Sequence, residues 1–542
     1  MDAIGYLTTE GFIVPTQILK KRFGVKYNDF LNKLTIVHRP KIGPPQYARM
    51  YKEINRGGIQ CMCLPRTLIK ILISAKILMN VEIILPPLKP INAQLHINLF
   101  DNQKVVVEYL LGTVFTPERI AAGTATCVFN LKAGQGKTFT AGGIIASLRV
   151  RTLYIVPKRP LAVQAVKDLR ACFYPDDGEP GLRIGQYGKA KKSDPDSDYT
   201  KQDITVIVIN SALLRDIEFF RDYNLVVFDE VHSYCSEQRR EIFKKASLNM
   251  CLGMSATTED RLDGFDPIAH KELAFDDVIR AENIPGFAYE EVDFQTDVKV
   301  IRYKGSPEYT QSLTHESTGK LFTPYMNKQF LRDPARLQLI VREIRTLYDW
   351  SDGDDKHCIY VFAEEIEGLR SIYRELKKTF EDVVAPEIDA VDPANVDAVD
   401  AVDPANVDVV DAVDAANVDG HQIKNENQNR QDEFDHNFGE FIGGIKDKTV
   451  ESLKQNARVL LTTYAYSGTG VSIDKMTAMV FATPRRSNMK QILARILRRG
   501  GNKRIRRKVI DIVDDKTPIK YQYGSRLIAY EFYGMNVEVI KE

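Results

Sequence analysis

The chain has no CxxC pair. Its seven cysteines are an odd, scattered set, and Cys61-x-Cys63 is too closely spaced for half of a zinc knuckle. This argues against a disulfide framework and a structural zinc site, and free thiols fit a reducing compartment. The most apolar stretch, residues 68–85, is broken by Lys70, Lys76 and Glu82, which argues against a membrane span. Met1 is followed by Asp2 and by no small-residue cleavage site, so no secretory signal peptide is expected. Two further absences are local. Residues 386–419 hold Glu387 and nine Asp but no Lys or Arg, whereas 485–508 hold eleven Lys and Arg but no acid. The formal net charge of +1 averages over these extremes: without those ten acidic charges the remainder would carry +11. A basic segment of this density suggests an anionic ligand.

What is present is globular. A chain of 542 residues, 44% hydrophobic and 27% charged, has room for two to three domains. Residues 1–90 mix helical and extended signals, end in the proline-rich "LPPLKPI", and carry no recognisable motif; they are expected to form an accessory α+β domain. From residue 91 to 284, apolar and β-branched runs of strand length recur: "TCVFN", "RTLYIVP", "ITVIVIN", "NLVVFDE", "NMCLGMS". Continuous apolar runs are strands buried on both faces, hence a parallel sheet covered by helices. A second series occupies 285 to 542: "DVKVIRYKG", "CIYVFAE", "ARVLLTT", "TAMVFAT", "RKVIDIVD", with a helix expected over "DPARLQLIVREIRTLY". Within it, "AVDPANVD" at 390–397 recurs at 401–408 and, as "AVDAANVD", at 412–419. An eleven-residue period can mark a right-handed coiled coil, but Pro393 and Pro404 argue against one, and a disordered acidic insertion spanning 386–438 is expected.

The chemistry starts at "LKAGQGKT", residues 131–138. It ends as a phosphate-binding loop does but has Leu131 where the pattern G-x-x-x-x-G-K-[ST] begins with glycine. The setting, strand to glycine turn to apolar helix, suits backbone N–H groups pointing at phosphate oxygens. Ala133, Gly134, Gln135 and Gly136 would wrap the phosphates, Lys137 would neutralise them, and Thr138 would ligate Mg²⁺. An ordinary glycine turn with a solvated lysine is the alternative. "LVVFDEVH" at 225–232 weighs against that alternative. Two acids end a buried strand, so that Asp229 can hold Mg²⁺ and Glu230 can polarise an attacking water.

"DEVH" resembles the DExH box of superfamily 2 helicases, and further motifs of that family occur in order over roughly residues 98–514. "MSATTEDRLDG" resembles the coupling motif, with Ser255, Ala256 and Thr257 joined by His232 of the DExH box. Its continuation through Arg261, Asp263 and Gly264 is similar to a branch that includes nucleotide-excision-repair helicases and transcript-release helicases of large cytoplasmic DNA viruses. "NLFDNQKVVVEYLL" resembles the adenine-reading segment, with Gln103 as reader. "LYIVPKRPLAVQ" and "VIVINSALL" resemble nucleic-acid contact motifs, which assigns backbone contacts to Pro157, Lys158, Arg159 and Ser211. "TTYAYSGTGVSID" resembles the motif joining both sites: Thr462 and Thr463 toward nucleic acid, Gly470 toward nucleotide. Ser472 stands where many members have Asp; Asp474 is the candidate substitute. "QILARILRR" resembles Q-x-x-x-R-x-x-R, and the spacing of Gln491, Arg495 and Arg498 predicts one helix face, with Arg498 as arginine finger.

The resemblance implies two tandem RecA-like parallel-sheet domains and an ATP- and Mg²⁺-dependent helicase or translocase. It would run 3′→5′ on DNA or a DNA–RNA hybrid and hold nucleic acid mainly by the backbone. It further implies a monomer, viral transcription machinery as partner, work in the virus factories of the host cytoplasm, and packaging into virions. A nucleotide-gated clamp that binds without translocating, or an RNA helicase, is the rival reading.

Overall fold

The computed structural model describes residues 3–8, 11–38, 46–132, 134–175, 181–188, 198–234, 236, 238–246, 250–256, 275–289, 294–314, 319, 321–381, 432–443, 445, 447–467, 473–498 and 500–542. The acidic repeats lie outside them. The described residues fall into two compact units, one within 1–292 and one within 293–542.

The first unit holds two large sheets and a two-stranded antiparallel ribbon, Thr35–His38 with Gln46–Arg49. The N-terminal one has five strands in the order Lys52–Arg56, Ile59–Leu64, Gly11–Pro15, Ile4–Thr8, Asn80–Ile84; only the last pairing is parallel. Helices Thr16–Phe23, Tyr27–Lys33 and Leu68–Ser74 accompany it, around a core that includes Leu7, Phe12, Val14, Leu19, Met62 and Leu72. The second sheet has seven strands, all parallel. Their order is Ile184–Gln186, Ile204–Val208, Thr152–Val156, Leu225–Phe228, Met250–Ser255, Ala125–Asn130, Asp277–Arg280. Alternation along each strand feeds two cores. Tyr154, Val156, Leu225 and Val227 enter one; Leu153, Ile155, Val226 and Phe228 enter the other. Met50, from the N-terminal region, is buried in the second of these cores with Tyr234 and Phe243.

The second unit repeats the plan with seven parallel strands: Phe438–Glu440, Val459–Thr463, Ile359–Ala363, Ala478–Phe481, Arg507–Asp514, Thr296–Tyr303, Asn536–Lys541. Two parallel α/β sheets and an N-terminal α+β sheet are the expected fold class. The expected helix is Pro334–Asp349, with Asp333 accepting from the Ala335 N–H at 3.1 Å as its cap. One expected boundary is corrected. The insertion does not run to 438: Phe434 and Phe438 stack at 4.4 Å inside the core, and Phe438–Glu440 forms the sheet edge. Two aromatics among polar neighbours are enough to anchor that segment.

A buried histidine makes the second unit acid-sensitive. His357 is 1% exposed, its Nδ1 lies 3.0 Å from the Thr477 hydroxyl, and its ring packs on Trp350 at 4.4 Å. Burial, and then the charges of Lys508, Arg507 and Arg458, hold its pKa down to about 4 from 6.5. The folded state therefore keeps the imidazole neutral while the unfolded chain takes up a proton below pH 6.5. Stability is full above 6.5 and falls as pH drops toward 4, by roughly 1.4 kcal/mol per pH unit and about 2 kcal/mol by pH 5. Calorimetry on wild type and His357→Gln at pH 7 and pH 5 tests this. The acid-induced drop in melting temperature of the second unit should shrink in the variant; an equal drop in both would assign it to other groups.

Candidate active site

In a parallel sheet all strands end on one edge, and the loops at those ends share it. The loop 131–138 follows Asn130, the acids 229–230 follow Phe228, Ala256 follows Ser255, residues 157–159 follow Val156, and the helix Ile209–Leu213 follows Val208. The sequence motifs of the first unit are therefore collected by topology alone.

Leu131 is a core residue, 1% exposed, and its N–H donates to the Ser255 carbonyl at 3.0 Å. It anchors the loop and leaves phosphate binding to the glycines, Lys137 and Thr138 beyond it. Gly134 and Gly136 have φ of 81° and 74°, and Gly136 caps the helix Lys137–Leu148 from a left-handed conformation. A Cβ on Gly136 would also come within 2.3 Å of the Gln103 amide nitrogen, whereas one on Gly134 would meet nothing. Gln103 braces the loop from behind. Its Oε1 accepts from the Phe100 N–H at 3.0 Å, and its Nε2 donates to the Gln135 carbonyl at 3.3 Å. Asn102 adds a bond to the Gln135 side chain at 3.3 Å. Ala133 lies outside the described residues.

The acids converge on this loop. Lys137 Nζ and Glu230 Oε1 pair at 2.7 Å, with both side chains largely sheltered. Glu230 takes φ of 50°, rare for a residue with a Cβ, which turns its carboxylate back toward the loop while Asp229 stays at the strand end. The Asp229 carboxylate accepts from the Glu230 N–H at 3.1 Å. The Tyr234 hydroxyl donates to the Asp229 carbonyl at 2.7 Å and so fixes the turn from the core side. His232 Nδ1 lies 2.8 Å from Ser255 Oγ and 3.4 Å from Glu230 Oε2, which joins the DExH box to the coupling motif. Burial and the neighbouring Glu230 raise the pKa of Asp229. Burial pushes Glu230 the same way, but Lys137 and then His232 outweigh it, and the net direction is down. Glu230 is thus held ionised beside an Asp229 that lacks a comparable counter-charge.

A divalent cation fits that imbalance. Among the described residues no group of three or more His, Cys, Asp or Glu could hold a metal alone. The residues that would hold it are Asp229 and Thr138, a set that would suit an ion which keeps its waters and takes the remaining ligands from phosphate.

Other expected residues are placed unequally. Lys158 and Arg159 are exposed at the start of the helix Arg159–Phe173, behind a buried Pro157, and Ser211 is half-buried in its helix. Although the Lys158 side chain is exposed overall, partial desolvation of its ammonium and then the charge of Arg239 lower its pKa. Thr462 has no exposed surface, and the Thr463 hydroxyl accepts from the Tyr466 N–H at 3.2 Å. In this structure neither threonine presents a free hydroxyl to a strand. Thr257 and Gly470 lie outside the described residues.

The expected single helix face of Gln491, Arg495 and Arg498 is corrected. The helix is only Met489–Leu493; beyond it Arg495, Ile496 and Leu497 bond back three residues, a tighter winding that ends the face. Past that turn the fully buried Arg507 holds the chain, its guanidinium donating to the carbonyls of Ile496 (2.7 Å), Asn502 (2.7 Å) and Ile505 (2.5 Å). Arg495 is itself buried beside Tyr360, and Arg498 Nη1 lies 3.9 Å from Asp474. Nor is 485–508 one basic face: Arg485 pairs with Glu364 at 2.7 Å, and Arg506 and Lys508 share Asp297 at 2.5 Å and 2.8 Å.

Tyr234, Asn102 and Tyr289 were not found by sequence reasoning. Tyr289 lies beneath the Lys132 ammonium, 4.2 Å from ring centroid to Nζ, and bonds to Glu282 at 3.2 Å. No spacing rule connects a loop lysine to a tyrosine so far along the chain; only the position of Tyr234, one turn past the acids, offered a signal.

Known proteins resemble much of this chain. The family model described as the type III restriction enzyme, res subunit, matches residues 96–260. A protein of African swine fever virus (strain Badajoz 1971 Vero-adapted), named as an ATP-dependent RNA helicase, QP509L, is 29% identical over 416 residues, 75% of this chain and 68% of that one. The protein named DNA 3′-5′ translocase XPB2 of Sulfurisphaera tokodaii is 32% identical over 134 residues, 25% of this chain and 27% of its own. Among solved structures, S. cerevisiae Dbp5 bound to RNA and ADP BeF3 aligns over 82% of this chain and 94% of that one, with a TM-score of 0.44 and 11% identity.

Proposed function

We propose that this chain, which belongs to the superfamily 2 helicases, is an ATP-hydrolysing motor that moves 3′→5′ along DNA or a DNA–RNA hybrid in viral transcription or genome metabolism. The observation that carries the reading is the convergence of Lys137, Asp229, Glu230, His232 and Ser255 on one sheet edge behind a left-handed glycine loop. Gly134 to Gly136 and the helix start receive the phosphates, and Lys137 neutralises charge that grows in transfer. Glu230, held ionised, takes the proton of the attacking water. Asp229 and Thr138 would hold Mg²⁺, which when bound neutralises the phosphate oxygens. The His232–Ser255 contact links the position of Glu230 to the strand end that leads into Ala256 and Thr257. Arg495 and Arg498 are the candidate cations of the second unit, with the neutral Gln491 as a candidate hydrogen-bonding partner, and Gln103, which braces the loop, is the candidate reader of the base. Lys158, Arg159 and Ser211 hold the strand backbone, with Pro157, Thr462 and Thr463 shaping the contact. Work in the virus factories of the host cytoplasm belongs to the same reading.

The name of the archaeal relative supports a 3′→5′ DNA translocase, and that of the viral relative supports an RNA helicase as the second reading. ATP turnover measured with single- and double-stranded DNA and RNA separates them. Stimulation is expected to be greatest with DNA, and duplexes with a 3′ tail, not a 5′ tail, are expected to be displaced. Stimulation by RNA alone would favour the second reading. Turnover without displacement or translocation on any substrate would favour the clamp.

A further inference from the structure

The basic segment that stands out in the sequence commits much of its charge internally, whereas one cluster in the N-terminal domain does not. Residues 1–90 hold fourteen Lys and Arg against five Asp and Glu, a formal +9 in a chain whose total is +1. Five of these cations lie on one helical hairpin: Lys20, Lys21 and Arg22 at the end of the helix Thr16–Phe23, Lys26 in the turn, and Lys33 at the end of the helix Tyr27–Lys33. All five are exposed, and among the described residues none forms an ion pair. Asp29 is the only acid on the hairpin.

Cations at helix C-termini do favour the helix dipole, by about 0.3–1 kcal/mol each at an exposed site. That accounts for one or two of them. It does not account for five of one sign on eighteen residues, in a domain whose like charges repel one another. The hairpin is also stiff. Phe23 and Phe30 stack at 4.4 Å across it, Gly24 makes the turn at φ of 53°, and Lys20 lies 5.8 Å from the Tyr27 ring. Val25, 97% exposed at the apex, makes that tip project into solvent. A rigid, projecting element with unpaired cations at intervals is suited to a regularly charged polyanion.

We propose that the hairpin 16–33 is a nucleic-acid backbone site, separate from the nucleotide loop, that tethers the motor to its track whatever the nucleotide state. The inference rests on the nucleic-acid reading above. Because the N-terminal domain belongs to the same compact unit as the phosphate-loop sheet, and Met50 is buried in that sheet's core, the tether is fixed to the ATP-binding half.

The test replaces Lys20, Lys21, Arg22, Lys26 and Lys33 together with glutamine in the full chain. Binding to fluorescent duplex and single-stranded DNA of mixed sequence, without nucleotide, is followed across salt concentrations. Each lost phosphate contact lowers the slope of log affinity against log salt by about 0.9 on duplex. A drop of about 3–4 is expected, with affinity down by about 10²-fold at moderate salt. A second variant, with the four lysines changed to arginine, keeps the charge and should keep both affinity and slope. Melting temperatures guard against misfolding. Should the glutamine variant misfold, Lys20→Gln with Lys21→Gln alone should lower the slope by about 1–2. Wild-type affinity and slope in the folded glutamine variant would overturn the inference and leave the motor reading intact; failure of wild type to bind any nucleic acid would overturn both.

Discussion

Lys137→Ala is expected to abolish nucleic-acid-stimulated ATP hydrolysis, with a loss of about a thousandfold or more in turnover. Strand binding without nucleotide should survive. Two effects combine. The transition state loses its fixed positive charge at the loop, and Glu230 loses the partner that holds it ionised at 2.7 Å. A sheltered carboxylate without a counter-charge is destabilising, so the variant should also melt lower than wild type. Adding Glu230→Gln to Lys137→Ala removes the orphaned charge and should restore much of the melting temperature without restoring turnover. Undiminished turnover in Lys137→Ala would exclude the loop as the catalytic phosphate site. A double variant no more stable than Lys137→Ala would show that the ion pair contributes nothing to the fold.

Glu230→Gln separates catalysis from binding in the opposite sense. Without a carboxylate to accept the water proton, turnover should fall by about 10²–10⁴-fold. ATP affinity should rise, because in the structure the carboxylate occupies the ammonium that the phosphates need. An increase of about tenfold corresponds to about 1.4 kcal/mol of lost competition. Titration with ATP and Mg²⁺ under non-turnover conditions reads this directly. Weaker binding than wild type would mean that Lys137 and Glu230 do not compete in this way, and normal turnover would remove Glu230 from the role of base.

The central strands were legible because parallel sheets bury both faces, so runs such as Leu225–Phe228 are apolar without a break. The strands left unread are edges or near-edges: Ile184–Gln186, Asp277–Arg280, Phe438–Glu440 and Asn536–Lys541. Edge strands are covered on fewer sides and lack that signature. The glycine loop and the acid pair were legible because their chemistry demands particular residue types. Tyr289 meets Lys132 from a distant part of the chain, for which one sequence offers no pattern, whereas Tyr234 lies five residues past Asp229 and its position alone carried a signal. The arginine helix was misread for a related reason. Gln491, Arg495 and Arg498 have helical spacing, but the chain tightens to bonds three residues back from Arg495 on, and the Ile496 carbonyl is taken by the buried side chain of Arg507, a contact between segments that spacing does not reveal.

Trp350 is the chain's sole tryptophan, and it lies in the second unit against His357. Its fluorescence is therefore an optical label that was never engineered, blind to the first unit. If the two halves unfold independently, emission and far-ultraviolet dichroism will give different midpoints on one sample. If they unfold together, the two curves will superimpose. A ligand that shifts the dichroism curve while the emission curve stays fixed is acting on the half that cannot be seen.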